Sequence, residues 1–372
     1  MLPAHERILL GPGPSLMSPR VMKALSAPML SHLDPQFVEI MDDVRARLER
    51  VFQAPDGSFA FAVSGTGTSA METAMANVIA PGTRVLSVVT GYFGDRLAQM
   101  AARYGGAVTR VEAEWGRAID PEQVQQALKA SSADVVTIVH AETSTGVLNP
   151  VQAVAAIARE HGALIVVDAV TSLGGMPLDV AGWGLDVVYS CSQKCLGAPS
   201  GMSPIVFSPR ALEKKVTCRS FYFDVTLLED YWVRRKYHHT MSASLIYALR
   251  EALVAVEEEG LQARWARHER NHLAFAKALD GIGLSLLPSP AERLWTLNAV
   301  KVPQGVDDAA VRKFLLQNYN IEIGSGLGPL AGKVFRVGLM GTSSSQELVD
   351  LLVGALEKGL NSLVQGLHKS GA

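Results

Sequence analysis

A chain of 372 residues, 48% hydrophobic and 19% charged, is long enough to bury a large core and points to two domains. Its 34 Lys and Arg nearly balance 36 Asp and Glu, so the net charge of −2 gives no basis for a nucleic-acid or polyanion partner. Cys191, Cys195 and Cys218 are too few for a disulfide framework, and no Cys/His set has zinc spacing, so a reducing compartment and no metal are expected.

The start, Met1 to Arg7, has an acid and a proline where a signal peptide carries basic and then apolar residues, and no apolar run is long enough to span a membrane. The end, Lys369-Ser370-Gly371-Ala372, is not a Ser-Lys-Leu-type peroxisomal signal, and a cytoplasmic protein with no membrane partner is expected. Gly11-Pro12-Gly13-Pro14 excludes helix interior and central strand, so residues 1–20 read as an extended arm. Asp34 and Pro35 open a helix with Phe37, Ile40, Met41, Val44, Leu48 and Val51 on one face.

Strands and helices then alternate: strand 59–63, helix 68–79, strand 84–89, helix 94–104, strand 107–111, helix 121–130, strand 134–140, helix 150–160, and strands 163–168, 186–190 and 203–207. These apolar runs have little period-two alternation, the pattern of a mostly parallel sheet covered on both faces. Residues 217–240, rich in aromatic and charged side chains, read as an irregular excursion suited to contacts between subunits. Helices over 244–279 follow, then strand 295–302, helix 307–318, strands 321–323 and 334–339, and helix 345–365. The expected fold class is α/β: an arm over 1–20, a large domain over 21–255, and a smaller α+β domain over 256–372.

The chemistry is expected around Lys194, just past the apolar run Leu185 to Tyr189 and before the breakers Gly197, Pro199 and Gly201. Burial there disfavours the ammonium form, and a neutral amine is a nucleophile toward carbonyls, able to form a Schiff base. The ordinary alternative is a buried stem with a solvated head. Asp168 closes the core strand 163–168, where a carboxylate needs a positive partner. Ser64 to Ala70 follows strand 59–63 and opens a helix whose backbone N–H groups suit a phosphate. An amine for an aldehyde, an anion for a protonated ring nitrogen and a helix end for a phosphate are the three handles of pyridoxal 5′-phosphate. Thr66 to Thr68, Gly91 to Gly94, Ala141 to Thr145, Asp168 and Gln193 to Lys194 all fall at carboxyl ends of strands, where such sheets bind ligands.

Residues 64–72 (Ser-Gly-Thr-Gly-Thr-Ser-Ala-Met-Glu), 167–175 (Val-Asp-Ala-Val-Thr-Ser-Leu-Gly-Gly), 192–201 (Ser-Gln-Lys-Cys-Leu-Gly-Ala-Pro-Ser-Gly) and 237–240 (Tyr-His-His-Thr) carry a resemblance. In order and spacing, from about Leu10 to Gly341, the chain resembles the alanine–glyoxylate and serine–pyruvate aminotransferases, class V aminotransferases of PLP fold type I. The resemblance implies a ping-pong transaminase moving the amino group of alanine or serine to glyoxylate or pyruvate, and a homodimer. It implies that Lys194 forms the Schiff base and shuttles the proton, and that Asp168 pairs with the ring nitrogen. Thr66, Gly67, Thr68 and Gln193 would bind the phosphate, with Tyr237 and Thr240 serving the partner subunit's site. Phe93 takes the place of the aromatic stacked on the ring, with an ordinary core aromatic as the competing reading. Thr143 falls where a hydroxyl donor stands near the ring, and Gly13 of the arm is expected at the substrate. Arg336, inside an apolar strand, either takes the substrate carboxylate or forms an internal salt bridge. His238 and His239 have no assigned role.

Rival motifs fail on context. Gly65 to Ala70 fits GxGxxA, but the next strand ends Val88-Val89-Thr90-Gly91 with no acid until Asp95, against a dinucleotide site. Gly332-Lys333 is followed by Val334, and the glycine a P-loop requires is Leu327. Within the same fold, a cysteine desulfurase needs a catalytic cysteine on a mobile loop, and none of the three is so placed. Ureidoglycine–glyoxylate, phosphonate and pyridoxamine–pyruvate aminotransferases stay open as alternatives. A non-enzymatic protein of this fold would leave Lys194, Asp168 and Arg336 without a reason to coexist.

Overall fold

The structure, a computed structural model, describes residues 6–370, with side chains to residue 362. The terminal readings at residues 1–5 and 371–372 lie outside the described residues.

The N-terminal segment forms strand β1 (Ile8–Leu9) and then helix α1 (Pro19–Leu25), capped by Ser18. Strand β1, itself extended, pairs in parallel with Ile321 and Glu322, and only at Pro19 does a helix begin, where Ser18 supplies the cap and the proline is helix-compatible. Helix α2 (Pro35–Val51) begins where Asp34 accepts the N–H of Gln36, and it buries Phe37, Met41, Val44, Leu48 and Val51. The repeating unit follows as β2 (Phe59–Ser64), α3 (Gly67–Val78), β3 (Arg84–Val89), α4 (Tyr92–Arg103), β4 (Ala107–Glu112) and α5 (Pro121–Ala130). Next come β5 (Val135–Val139), the hairpin β6 (Ala141–Glu142) and β7 (Val147–Leu148), α6 (Val151–Glu160), β8 (Leu164–Asp168), β9 (Val187–Tyr189) and β10 (Met202–Phe207).

Seven of these strands form one sheet in the order β2-β10-β9-β8-β5-β3-β4. Strand β10 runs antiparallel to both neighbours and every other pairing is parallel. Strands β5, β8, β9 and β10 are buried throughout, which is why their sequences are apolar on both faces.

After α7 (Pro209–Lys214), residues 217–240 depart from the irregular expectation. They contain α8 (Val225–Trp232), capped by Asp224 and burying Val225, Leu228, Tyr231 and Trp232. Tertiary packing of that apolar face outweighs the weak helix propensity of its aromatic residues. The expected helices over 244–279 are α9 (Ala243–Glu259) and α10 (Leu261–Gly281), separated at Gly260 with φ of 81°.

The remaining elements are β11 (Leu297–Lys301), α11 (Asp308–Tyr319), β12 (Ile321–Glu322), β13 (Gly324–Ser325), β14 (Val334–Gly338) and α12 (Gln346–Ser370). Strands β11, β14 and β13 make an antiparallel sheet. One large apolar cluster spans Phe37 to Val256, and a second gathers Leu10, Phe275, Val300, Phe335 and Leu356. Leu10 in the second cluster anchors the segment that runs on to the large sheet. Among the described residues no helix is long and apolar enough to cross a membrane.

Candidate active site

Asp168 is the last residue of β8, and the parallel register sets it beside Tyr189 of β9. Its carboxylate accepts the Tyr189 hydroxyl at 2.9 Å and the Val170 N–H at 2.9 Å. No cation pairs with it among the described residues, and burial pushes it up to about 6 despite those two hydrogen bonds. A buried carboxylate held by two donors and lacking a counter-ion suits a protonated ring nitrogen.

Lys194 follows β9 in a turn closed by Gly197, and the N-terminal segment lies across it. Ser15 N–H donates to Gln193 O at 2.9 Å, and the Ser15 hydroxyl to Lys194 O at 2.7 Å. The Lys194 Nζ donates to the carbonyl of Pro12. Burial lowers the lysine below its ordinary value. Gly13 has φ of +105°, and a Cβ there would lie 2.4 Å from Lys194 Nζ. From the other side buried Arg264 donates to Cys195 O at 2.6 Å and Gly174 O at 2.9 Å, its charge met by Glu259 at 2.6 Å.

At another side of the cleft lies the β2–α3 junction. Thr66 is the N-cap and makes no side-chain cap, so the first N–H groups of α3 keep their capacity for an anion. A Cβ on Gly67 would come within 3.0 Å of Val170 Cγ2, so glycine lets the helix start approach the residues after Asp168. Gln193 reaches the same cleft, with its buried Oε1 lacking a partner.

Phe93, in the first turn of α4, forms part of the cleft wall and Thr143 is buried beside it. Gly91 offers no side-chain cap to α4, and Glu142 replaces it from the β6–β7 hairpin. The Glu142 carboxylate accepts the N–H groups of Phe93 and Gly94 at 3.2 and 3.1 Å and the Ser144 hydroxyl at 2.6 Å. Arg96, one turn along α4, also lines the cleft.

One cleft therefore gathers Thr66, Gly67, Thr68, Phe93, Thr143, Asp168, Gln193 and Lys194, with Gly13 against the lysine. Arg336 on β14 stands outside its wall. Its Nε donates to Ser325 O at 2.6 Å and no carboxylate pairs with it among the described residues, against the internal salt-bridge reading. Burial lowers it to about 10. Tyr237 and Thr240 are exposed and lie away from the cleft of their own chain. His239 Nε2 meets Ser64 Oγ at 3.1 Å, while His238 stacks on Phe221 with ring centroids 5.3 Å apart. Sequence reasoning missed Tyr189, Glu142, Arg96 and Arg264. A tyrosine ending the strand next to Asp168 was a usable signal; the others depend on contacts between distant segments.

The residues fit pyridoxal phosphate: an unpaired buried carboxylate, a buried amine and an uncapped helix start face one space. Residues 9–351 match the family Aminotransferase class-V. The chain is 38% identical to alanine–glyoxylate aminotransferase of Drosophila melanogaster, covering 97% of this chain and 94% of that protein. It is 37% identical to (S)-ureidoglycine–glyoxylate transaminase of Bacillus subtilis, covering 94% and 90%. The crystal structure of alanine–glyoxylate aminotransferase from Nostoc sp. superposes with a TM-score of 0.93 at 46% identity, covering 97% of each chain. The chain belongs to the class V aminotransferases and is a pyridoxal phosphate-dependent transaminase of that fold.

Proposed function

We propose that the protein moves the amino group of a small L-amino acid, alanine or serine, to glyoxylate or pyruvate. The observation that carries this reading is the shared cleft of Lys194 and Asp168, a lowered-pKa amine beside a carboxylate without a counter-ion. Pyridoxal phosphate supplies an aldehyde for the lysine and a ring that accepts electrons from the substrate Cα.

The chain's own residues do the rest. Asp168, oriented by Tyr189 and Val170 N–H, holds the proton on the ring nitrogen. Lys194, deprotonated more readily than a surface lysine, is the base that takes the Cα proton and returns it on the other side of the exchange. Thr66, Gly67, Thr68 and Gln193 would hold the phosphate, Phe93 would cover the ring face and Thr143 would donate beside it. Gly13 and Pro12 keep bulk water from the amine, and Arg336 would take the substrate carboxylate through its free terminal nitrogens.

In a homodimer, exposed Tyr237 and Thr240 would serve the partner's site. The proposed partition is an arm over 1–20, a large domain over 21–255 and a small domain over 256–372, supported by the two separate apolar clusters. A cytoplasmic location is proposed on the three free thiols, two of them buried. A second reading, with ureidoglycine as donor to glyoxylate, is favoured by the 37% identity to the Bacillus subtilis enzyme.

The test is the visible absorbance of the protein with pyridoxal phosphate during titration with L-alanine, L-serine or (S)-ureidoglycine, followed by glyoxylate. Loss of the band with alanine or serine and its return with glyoxylate is expected, and Lys194→Ala abolishes the cycle. A band that responds only to ureidoglycine selects the second reading, and one that ignores every donor overturns both.

A further inference from the structure

The cleft contains a cation that the reaction scheme leaves without a task. Arg96 Nη1 lies 3.4 Å from Thr68 Oγ1, at the start of α3, and its Cζ lies 5.1 and 5.2 Å from the ring centroids of Tyr92 and Phe93. Residues 92, 93 and 96 share one face of α4 by the i, i+3 and i, i+4 spacing, so the two rings support the guanidinium from below. Among the described residues no carboxylate pairs with it. The neighbouring Asp95 is taken by Arg110 at 2.7 Å, and Glu72 accepts the Tyr104 hydroxyl.

Charge accounting gives this cation a ligand. A phosphate monoester carries about −1.5 to −2 at neutral pH, and a helix start offers the equivalent of about +0.5. Thr66, Thr68 and Gln193 are neutral, as are Tyr237 and Thr240, and Lys194 is committed to the aldehyde. At least one negative charge is left over in a partly enclosed cleft, and Arg96 is the other cationic side chain on its wall.

We propose that Arg96 is the charge-neutralising residue of the phosphate subsite and makes the protein select the phosphorylated cofactor over its unphosphorylated form. The inference rests on the reading of the cleft as a pyridoxal phosphate site. A planar fork over Thr68 gives two charge-assisted hydrogen bonds to one anion, which an ammonium does not reproduce.

The experiment titrates cofactor-free wild type, Arg96→Gln and Arg96→Lys with pyridoxal phosphate and, separately, with pyridoxal, following visible absorbance at low and high salt. Wild type giving a band with pyridoxal phosphate establishes the cleft itself; no band overturns the reading beneath the inference. Arg96→Gln is expected to weaken pyridoxal phosphate binding by about tenfold to a hundredfold, the range for losing hydrogen bonds to a charged group. It should change pyridoxal binding by less than about twofold, flatten the salt dependence, and be partly rescued in Arg96→Lys. Equal weakening toward both ligands means that Arg96 merely orders Phe93, and no weakening toward either means that it is not a ligand residue; both overturn the proposal. If Arg96→Gln does not fold, Arg96→Met carries the same comparison, since it also removes the charge while keeping the apolar stem over the two rings.

Discussion

Lys194 and Gly13 occupy each other's space. With φ of +105° and an amine 2.4 Å from where its Cβ would be, Gly13 tolerates no side chain unless Lys194 moves. Gly13→Ala is therefore expected to displace the nucleophile and lower kcat by about a hundredfold, the scale of a misplacement near 1 Å. Steady-state kinetics with a thermal melt checks this, and unchanged kcat refutes it. Arg336 makes a different kind of demand. Its guanidinium is partly buried and spends Nε on Ser325 O, leaving two terminal nitrogens without an anion. Arg336→Ala is expected to raise KM for both amino donor and oxo-acid acceptor by about tenfold to a hundredfold, as the loss of a charge-assisted pair implies. An unchanged KM for both refutes the role.

Helix α4 shows how an element is positioned from elsewhere in the chain. Its N-cap must be glycine, because a Cβ at Gly91 would lie 2.4 Å from Ser144 Oγ and 2.6 Å from Glu142 Cγ. Glu142 then provides the cap from the β6–β7 hairpin, buried and held by Phe93 N–H, Gly94 N–H and the Ser144 hydroxyl. Glu142→Gln removes the charge and turns an amide donor toward those donors, so a loss of about 2–4 kcal/mol of stability is expected from two weakened charged hydrogen bonds. Denaturant unfolding measures it, and turnover should fall with it because Phe93 sits in the capped turn. An unaltered midpoint would show that the cap contributes nothing. This contact explains what the sequence could and could not show. Asp168 and Lys194 were legible because each is a charged residue ending or following a fully apolar run. Glu142 lies about fifty residues from the helix it caps, and no local pattern links them. Helix α8 was legible in principle, since Asp224 precedes Leu228, Tyr231 and Trp232 at helical spacing, but the surrounding aromatics and charges masked it. Tyr237 and Thr240 entered through resemblance alone, Arg336 also through its place inside an apolar strand, and none lines the cleft of its own chain.

Across the whole molecule, α10 ties the lysine turn to the segment following β14. Arg264 holds Cys195 O, Arg267 donates to Gly341 O at 3.0 Å and Ser344 O at 2.7 Å, and Asn271 donates to Ser344 Oγ at 3.0 Å. His268 sits among them. Its Nδ1–H donates to Arg264 O at 2.7 Å, which leaves Nε2 to accept the Gly341 N–H at 3.0 Å. Both ring nitrogens are used by the neutral tautomer, and a second proton would set two donors face to face. Burial, and then the Arg264 charge, lower His268 to about 3, far below the ordinary histidine value near 6.5. Between those two values the unfolded chain binds more protons than the folded one, so stability is full above about pH 6.5 and falls as acid is added, by up to about 1.4 kcal/mol per pH unit for this group. Buried His140 and His272 and half-buried His239 shift the same way. Asp168, raised to about 6, works with the opposite sign between about pH 4 and 6, favouring the fold as it takes up its proton. Glu142 and Asp186, also raised by burial, act with that same sign, and the four histidines outnumber these three carboxylates, so the unfolding free energy of the cofactor-free protein should decline from pH 6.5 to 5. His268→Gln keeps one acceptor and one donor without titrating, and should flatten that decline by about one group's share, near 1.4 kcal/mol per pH unit. Urea unfolding at half-unit pH steps measures both slopes; identical slopes would mean that His268 does not couple protonation to the joint between the lysine turn and the segment after β14.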